Sequence, residues 1–467
     1  MRAKKVIKVV VFCIILGIFL NRVYSILSWK DTSGEYYSSM ESLYGLDKDV
    51  VDVLFLGSSR CYCSINNSVL WEEQGISSFS LAISGQDLAS SYYCLVEALK
   101  TQTPEVVCLE LYGATFHGYL VESNMYRNTL SFRLSENAVN AVTDIAEDRK
   151  EELLLKWPIV HTRYAELQKK DFDKDRPVYL GYHAEFNTTA VEPLCSYYGD
   201  ERLAIAGEEE TWIRKIIALA EENDIQLVFF AAPVVSSEED QKMLNYVAAI
   251  GEEHGIPLIN MPRMQEELQL NVDSDFINWS HTNYYGAQKV SAYMGRFLKE
   301  HYSLPDRRGD ESYSLWCEDA KVRQHEYRNQ MLKQTYDIRE YLGQLAGIGE
   351  YTVILTTNGE FYSDAADIGD YVSELGMVDF YDTAGTWIRR DDQLLYHSTE
   401  ANSFEYVELS EGDMVVQRED GNSSIVIDNL SYSKVQNGIN IVVYDDVLGQ
   451  VADAIGFDVP NQYMPVR

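Results

Sequence analysis

Val51-Asp52-Val53-Leu54-Phe55-Leu56-Gly57-Ser58-Ser59-Arg60 decides how this chain folds. Its apolar run reads as a strand, and together with later, more continuous apolar runs it suits a parallel sheet covered on both faces. The small residues that follow make a turn at the strand's carboxyl end. Such a turn can present a serine hydroxyl at the edge of a parallel sheet. Far along the chain, Asn278-Trp279-Ser280-His281-Thr282-Asn283 closes on Gly286 ahead of a helix-like segment. A late histidine placed there can fold back as the base of that serine, the layout of a serine acyl-transfer site. Taken singly, each stretch has a plainer meaning. Gly-Ser-Ser is an ordinary turn, and Asn283 is an ordinary helix N-cap. Their joint position at the ends of one α/β unit is what carries the chemistry.

Strand and helix patterns alternate outward from residue 51. Strands are expected at 51–56, 78–83, 105–111, 226–231 and 258–260, with helices at 67–74, 90–99, 209–223, 237–254 and 285–301. Residues 113–200 are less regular, rich in Tyr and charge, and read as an insertion over one end of the sheet. The fold class is α/β, a doubly wound parallel sheet over residues 49–305. The hydrophilic break from Pro305 to Ser312 marks a boundary, with 306–319 as linker. Residues 320–467 form a smaller α+β, β-rich domain: helices fill 315–345 and 365–375, and strands fall at 351–356, 424–427, 439–444 and 451–457.

The length of 467 residues agrees with two domains, and the formal net charge of −34 excludes nucleic acid as a main partner, because an acidic surface repels a polyanion. Arg2, Lys4, Lys5 and Lys8 precede an apolar run from Val9 to Leu20 that continues more weakly to Leu27. Basic residues before the run keep the start cytoplasmic and export the body. Residues 1–28 are therefore expected to be a single-pass membrane anchor, with 29–48 a polar linker and an extracytoplasmic body beyond. A cleavable signal peptide ending near Val23-Tyr24-Ser25 is the alternative. The seven cysteines are irregularly spaced and include no CxxC pair, so neither a zinc nor a thioredoxin-like site is expected; most read as buried thiols, with room for one disulfide. No cofactor and no metal are called for.

Leu54-Phe-Leu-Gly-Ser-Ser-Arg60, Ile83-Ser-Gly85-Gln, and Asn278-x-x-His281-x-Asn283-x-x-Gly286 together resemble the SGNH (GDSL-like) hydrolase superfamily. The nearest branch is the membrane-anchored one that includes DltD-like and alginate-type O-acetyltransferases. The resemblance covers roughly residues 50–300 and implies a flavodoxin-like three-layer fold. It implies that Ser59 is the nucleophile and His281 its base, with the backbone N–H groups of Ser59 and Gly85 as oxyanion donors. Ser58, Arg60 and Asn283 fall in the oxyanion and substrate-binding motifs.

Three departures from the family pattern stand out. Ser58 replaces an Asp. The Asn oxyanion donor expected after the third strand is missing, since Leu109-Glu110-Leu111-Tyr112-Gly113 stands there; either the donor is absent, or the 113–135 stretch supplies it, with Asn124 or Asn128 as candidates. The Asp three residues before the histidine is Asn278, so either Asp275 replaces it or a Ser59–His281 dyad suffices. Glu110 ends a buried strand, as a structural acceptor or near substrate. Further on, Ser424-Ile-Val-Ile-Asp, Gly438-Ile-Asn-Ile-Val-Val-Tyr-Asp445 and Val451-Ala-Asp-Ala-Ile-Gly-Phe-Asp458 are similar to the interleukin-like EMT inducer (ILEI) family, whose relatives serve as carbohydrate-binding modules. These resemblances imply an O-acetyltransferase or acetylesterase acting on a polysaccharide or teichoic-acid-like glycan, with an MBOAT-type membrane acyltransferase as partner. The alternative is an inactive scaffold that binds glycan.

Overall fold

The structure, a computed structural model, describes residues 2–28, 38–115, 122–167, 169–172, 178–359, 368–377, 380, 384–391 and 393–467. It divides into two units, residues 1–320 and 321–467.

The first unit begins with α1 (Arg2–Leu27), within which Lys5–Leu27 is long and apolar enough to cross a membrane. Asn21 and Arg22 do not interrupt it. After α2 (Ser38–Gly45) come β1 (Val53–Gly57), α3 (Ser59–Ser64), α4 (Asn67–Gln74), β2 (Ser78–Ala82), α5 (Leu88–Ala98) and β3 (Val106–Glu110). The insertion carries α6 (Tyr112–Thr115), α7 (Glu122–Leu130), α8 (Glu136–Ile145), α9 (Lys150–Leu155) and α10 (Trp157–Val160). Then follow α11 (Gly207–Glu222), β4 (Gln226–Ala231), α12 (Glu238–Glu253), β5 (Leu258–Asn260), a small hairpin of β6 (Phe276–Asn278) and β7 (His281–Thr282), and α13 (Tyr284–His301).

Strands β1 to β5 form one parallel sheet in the order β2-β1-β3-β4-β5. The physical cause is visible residue by residue. Leu54, Leu56, Phe79, Leu81, Val107, Leu109 and Phe229 point into one core with residues of α5, α11 and α12. Val53, Phe55, Val106, Cys108, Val228 and Phe230 point into the other, with residues of α4 and α13. Both faces are buried, so β1, β3 and β4 are nearly continuously apolar, while β2 alternates apolar residues with the buried Ser78 and Ser80. Both neighbours of β1 are parallel to it, which gathers the strand-to-helix turns at the carboxyl edge.

Two expected linkers are not linkers throughout. Residues 38–45 are helical, with Met40 and Leu43 buried in the core, while 29–37 lie outside the described residues. Residues 306–319 are packed on the first unit. The Arg307 guanidinium pairs with Asp52 at 2.7 and 2.8 Å, the buried Trp316 Nε1 donates to Ser78 O, and Ser68 Oγ donates to Asp319. Arg307 and Asp319 are thus tied into the first unit, while Arg308, Asp310 and Glu311 stay at its surface. No disulfide forms, and all seven cysteines are free thiols.

The second unit is antiparallel. Helix α14 (Ser314–Gln334) runs into it and is followed by α15 (Ile338–Leu345), β8 (Tyr351–Asn358), α16 (Gly369–Glu374), β9 (Thr386–Arg390), β10 (Gln393–Ser398), β11 (Ser403–Glu408), β12 (Asp413–Glu419), β13 (Asn422–Ile427), β14 (Leu430–Ser431), β15 (Gly438–Asp445), β16 (Gln450–Asp458) and β17 (Met464–Val466). A six-stranded sheet in the order β10-β9-β8-β15-β16-β17 has helices on one face and the four-stranded sheet β11-β12-β13-β14 on the other. Ile354, Ile388, Val442 and Tyr444 meet Met414, Val416, Ile425 and Ile427 between the sheets, so the central strands β8 and β15 are buried on both sides.

Candidate active site

Strand β1 ends at Gly57, where a side chain is impossible: a Cβ there would lie 2.4 Å from Glu110 Cβ on β3. This close approach brings the turn down onto Glu110. The Glu110 carboxylate accepts from Ser58 N at 3.2 Å and from Ser58 Oγ at 2.9 Å. Burial pushes this carboxyl above its usual range, against the opposing pull of the Arg60 guanidinium and of the Ser58 hydrogen bonds. Ser58 Oγ also accepts from Arg60 N and caps α3. With its backbone and hydroxyl thus committed, buried Ser58 holds the turn and does not face substrate.

Ser59 begins α3 and is half-buried. Its Oγ lies 2.8 Å from His281 Nε2. His281 sits across the small hairpin from Asn278, and its Nδ1 is 3.1 Å from Asn278 Oδ1. The same oxygen accepts from Ser280 N at 2.8 Å. A backbone N–H can only donate, so the amide oxygen must face this corner. His281 then carries its proton on Nδ1, and the lone pair on Nε2 faces the Ser59 hydroxyl. The expected serine and histidine are brought together, with Asn278 as the orienting third group.

Asp275, the alternative third group, is engaged elsewhere. Its buried carboxylate accepts from Asn271 N at 2.8 Å, Lys289 Nζ at 2.6 Å and Ser274 Oγ at 3.0 Å. Asn283 is likewise a structural cap and not a substrate ligand. Its Oδ1 accepts from Tyr285 N and Gly286 N, and its Nδ2 donates to Ser274 O at 2.7 Å, so this buried amide is spent within the loop. Arg60 ties the two halves of the site: its Nε donates to Ser280 Oγ at 3.2 Å, and its guanidinium lies over the Tyr112 ring at 4.9 Å.

Gly85 follows β2 with φ +65, and a Cβ there would lie 2.1 Å from Asn124 Nδ2. Only glycine fits both the left-handed backbone and this contact. Asn124 comes from α7 of the insertion. Its Oδ1 accepts from Arg127 Nη1, which also donates to Ser84 Oγ, so the amide turns its Nδ2 toward Gly85. Asn128, the other candidate, is buried and braces this corner, donating to Ser84 O and Asn124 O. Another element thus brings an asparagine amide beside Gly85.

Beside the pair lies a cavity of about 220 Å³ over the carboxyl ends of β3 and β4, lined among others by Arg60, Glu110, Tyr112, Ser236 and Trp279. Trp279 stands between Asn278 and His281 in sequence and is 61% exposed. Sequence reasoning missed Trp279, Ser280 and Tyr112, although an exposed-side tryptophan inside a histidine motif was a signal. No cluster of metal-ligating side chains occurs among the described residues. The chain matches no protein-family model, and no curated protein is significantly similar to it.

Proposed function

We propose that the protein is an extracytoplasmic serine acyl-transfer enzyme of SGNH type, anchored by α1, that moves or removes a small acyl group, acetyl foremost, on a cell-surface or exported polysaccharide. The observation that carries this reading is the 2.8 Å contact of Ser59 Oγ with His281 Nε2, backed by Asn278. Ser59 Oγ attacks the ester carbonyl and passes its proton to His281 Nε2. The oxyanion forms against Ser59 N, Gly85 N and Asn124 Nδ2. Collapse expels the alcohol, which takes the proton from His281 and leaves an acyl-Ser59 ester. A sugar hydroxyl then attacks in a transferase, or water in an esterase, again giving its proton to His281. The resemblance to the DltD and alginate branch supports the glycan substrate and an MBOAT-type partner. The likeness of the second unit to ILEI domains supports a glycan- or partner-holding role for it.

One observation favours a second reading, a glycan-binding protein on a degenerate scaffold: the group behind His281 is a neutral amide. An alkyl fluorophosphonate separates the two. Covalent labelling of the wild type that disappears in Ser59→Ala and falls in His281→Ala supports the enzyme. Equal labelling of wild type and Ser59→Ala, or none in either, supports the binding protein.

A further inference from the structure

We propose that Leu155, Tyr164 and Phe172 of the insertion lie in the headgroup layer of the bilayer that α1 crosses, making the inserted block a second lipid contact of the protein. The proposal rests on α1 being a retained anchor. The 23 residues Lys5–Leu27 rise about 1.5 Å each, enough for a hydrocarbon core of about 30 Å, which puts the outer membrane boundary near Leu27.

The insertion is fastened to that end of the helix. Arg163 Nη1 donates to Ser28 O at 2.7 Å and Leu27 O at 3.2 Å, satisfying carbonyls that the helix terminus leaves free. The Tyr24 ring lies 6.3 Å from the Trp157 ring at the start of α10. Around this junction Leu155 is 65% exposed, Tyr164 72% and Phe172 54%. A lone exposed apolar side chain is ordinary, but three large ones beside the exit of an apolar helix match the aromatic belt of a membrane interface. The three side chains project from separate short pieces, α9 and the 3₁₀ turns His161–Ala165 and Lys169–Phe172. Scattered projections fit a fluid lipid surface, whereas a protein partner calls for one contiguous patch.

Spin labels on the full-length chain test this in vesicles of phosphatidylcholine and phosphatidylglycerol at three to one. The exposed thiols are removed as Cys13→Ser and Cys317→Ser, leaving only buried cysteines. Single cysteines replace Leu155, Tyr164 or Phe172, with Ile15 on α1 and the exposed Glu222 at the end of α11 as references. The expected result is an oxygen-to-nickel-chelate accessibility ratio at 155, 164 and 172 that is severalfold above that at 222 and below that at 15. A lipid-like ratio at 15 with water-like ratios at the three positions overturns the proposal and leaves the anchor standing, as does burial that appears only on adding a membrane protein. A water-like ratio at 15 overturns the anchor and the proposal together.

Discussion

In the proposed enzyme, Asn278 is the residue on which the chemistry would turn. In serine proteases the Asp-to-Asn change at this place costs on the order of 10⁴ in rate, largely because the imidazole adopts the wrong tautomer. Here Ser280 N–H holds the amide oxygen toward His281, so the tautomer is the productive one and only the charge is lacking. Asn278→Asp should therefore raise kcat for a small acetyl ester by about tenfold, well short of the full protease factor. An unchanged kcat in a variant that still labels at Ser59 would show that charge is not limiting. Asn124→Ala should lower kcat by on the order of 10² with little change in KM, the signature of a donor used in the transition state. Ser59, His281 and Asn278 were legible in the sequence because a nucleophile turn and its base occupy short, ordered motifs. Asn124 was only one of two candidates, because its approach to Gly85 depends on how an irregular insertion folds over the sheet. Asp275 and Asn283 looked equally chemical in sequence, and only their hydrogen bonds show them spent on the loop.

At the scale of elements, the turn between β1 and α3 is held by complementary absence and presence: no side chain at Gly57, a carboxylate at Glu110. Gly57→Ala should destabilise the first unit by about 1–3 kcal/mol, the usual cost of forcing a methyl into a packed site. It should also displace Ser59 enough to slow fluorophosphonate labelling. Thermal unfolding and labelling rate read the two effects separately, and a variant with wild-type values in both would contradict the 2.4 Å approach. Most strands of the sheet were legible because burial on both faces leaves them nearly continuously apolar, and β2 because its buried serines alternate with Phe79 and Leu81. The hairpin of β6 and β7 was not, since three-residue and two-residue strands carry no periodicity. In the second unit, β10 and β11 escaped the sequence pattern because their exposed positions hold large apolar groups such as Leu395, Phe404 and Tyr406, which blurs alternation.

Over the whole molecule, excess negative charge sets the response to pH. Glu209, near the start of α11, has its carboxyl pushed up to about 7 from 4.5 by burial, with Asp87 and Glu208 adding repulsion. A raised carboxyl binds its proton more tightly in the folded state, so its contribution is fully present below about 4.5 and lost as pH rises through about 7. Amide exchange in α11 should consequently slow when the pH is lowered from 7 toward 5, after correction for intrinsic rates, and Glu209→Gln should flatten that dependence. An equal slope in the variant would assign the effect to general self-repulsion.

The cavity beside the reactive pair has consequences of its own. Most of its walls come from the segments after β3 and β4, while Arg60 and Trp279 reach into it from the β1 turn and the small hairpin that carry Ser59 and His281. In the proposed enzyme, bond-making and molecular choice would thus be written largely, though not wholly, on different stretches of chain. If the proposed chemistry holds, lineages could rewrite residues around Val234 to Ser236, and so exchange one ester for another, while the Ser59–His281 contact is inherited untouched.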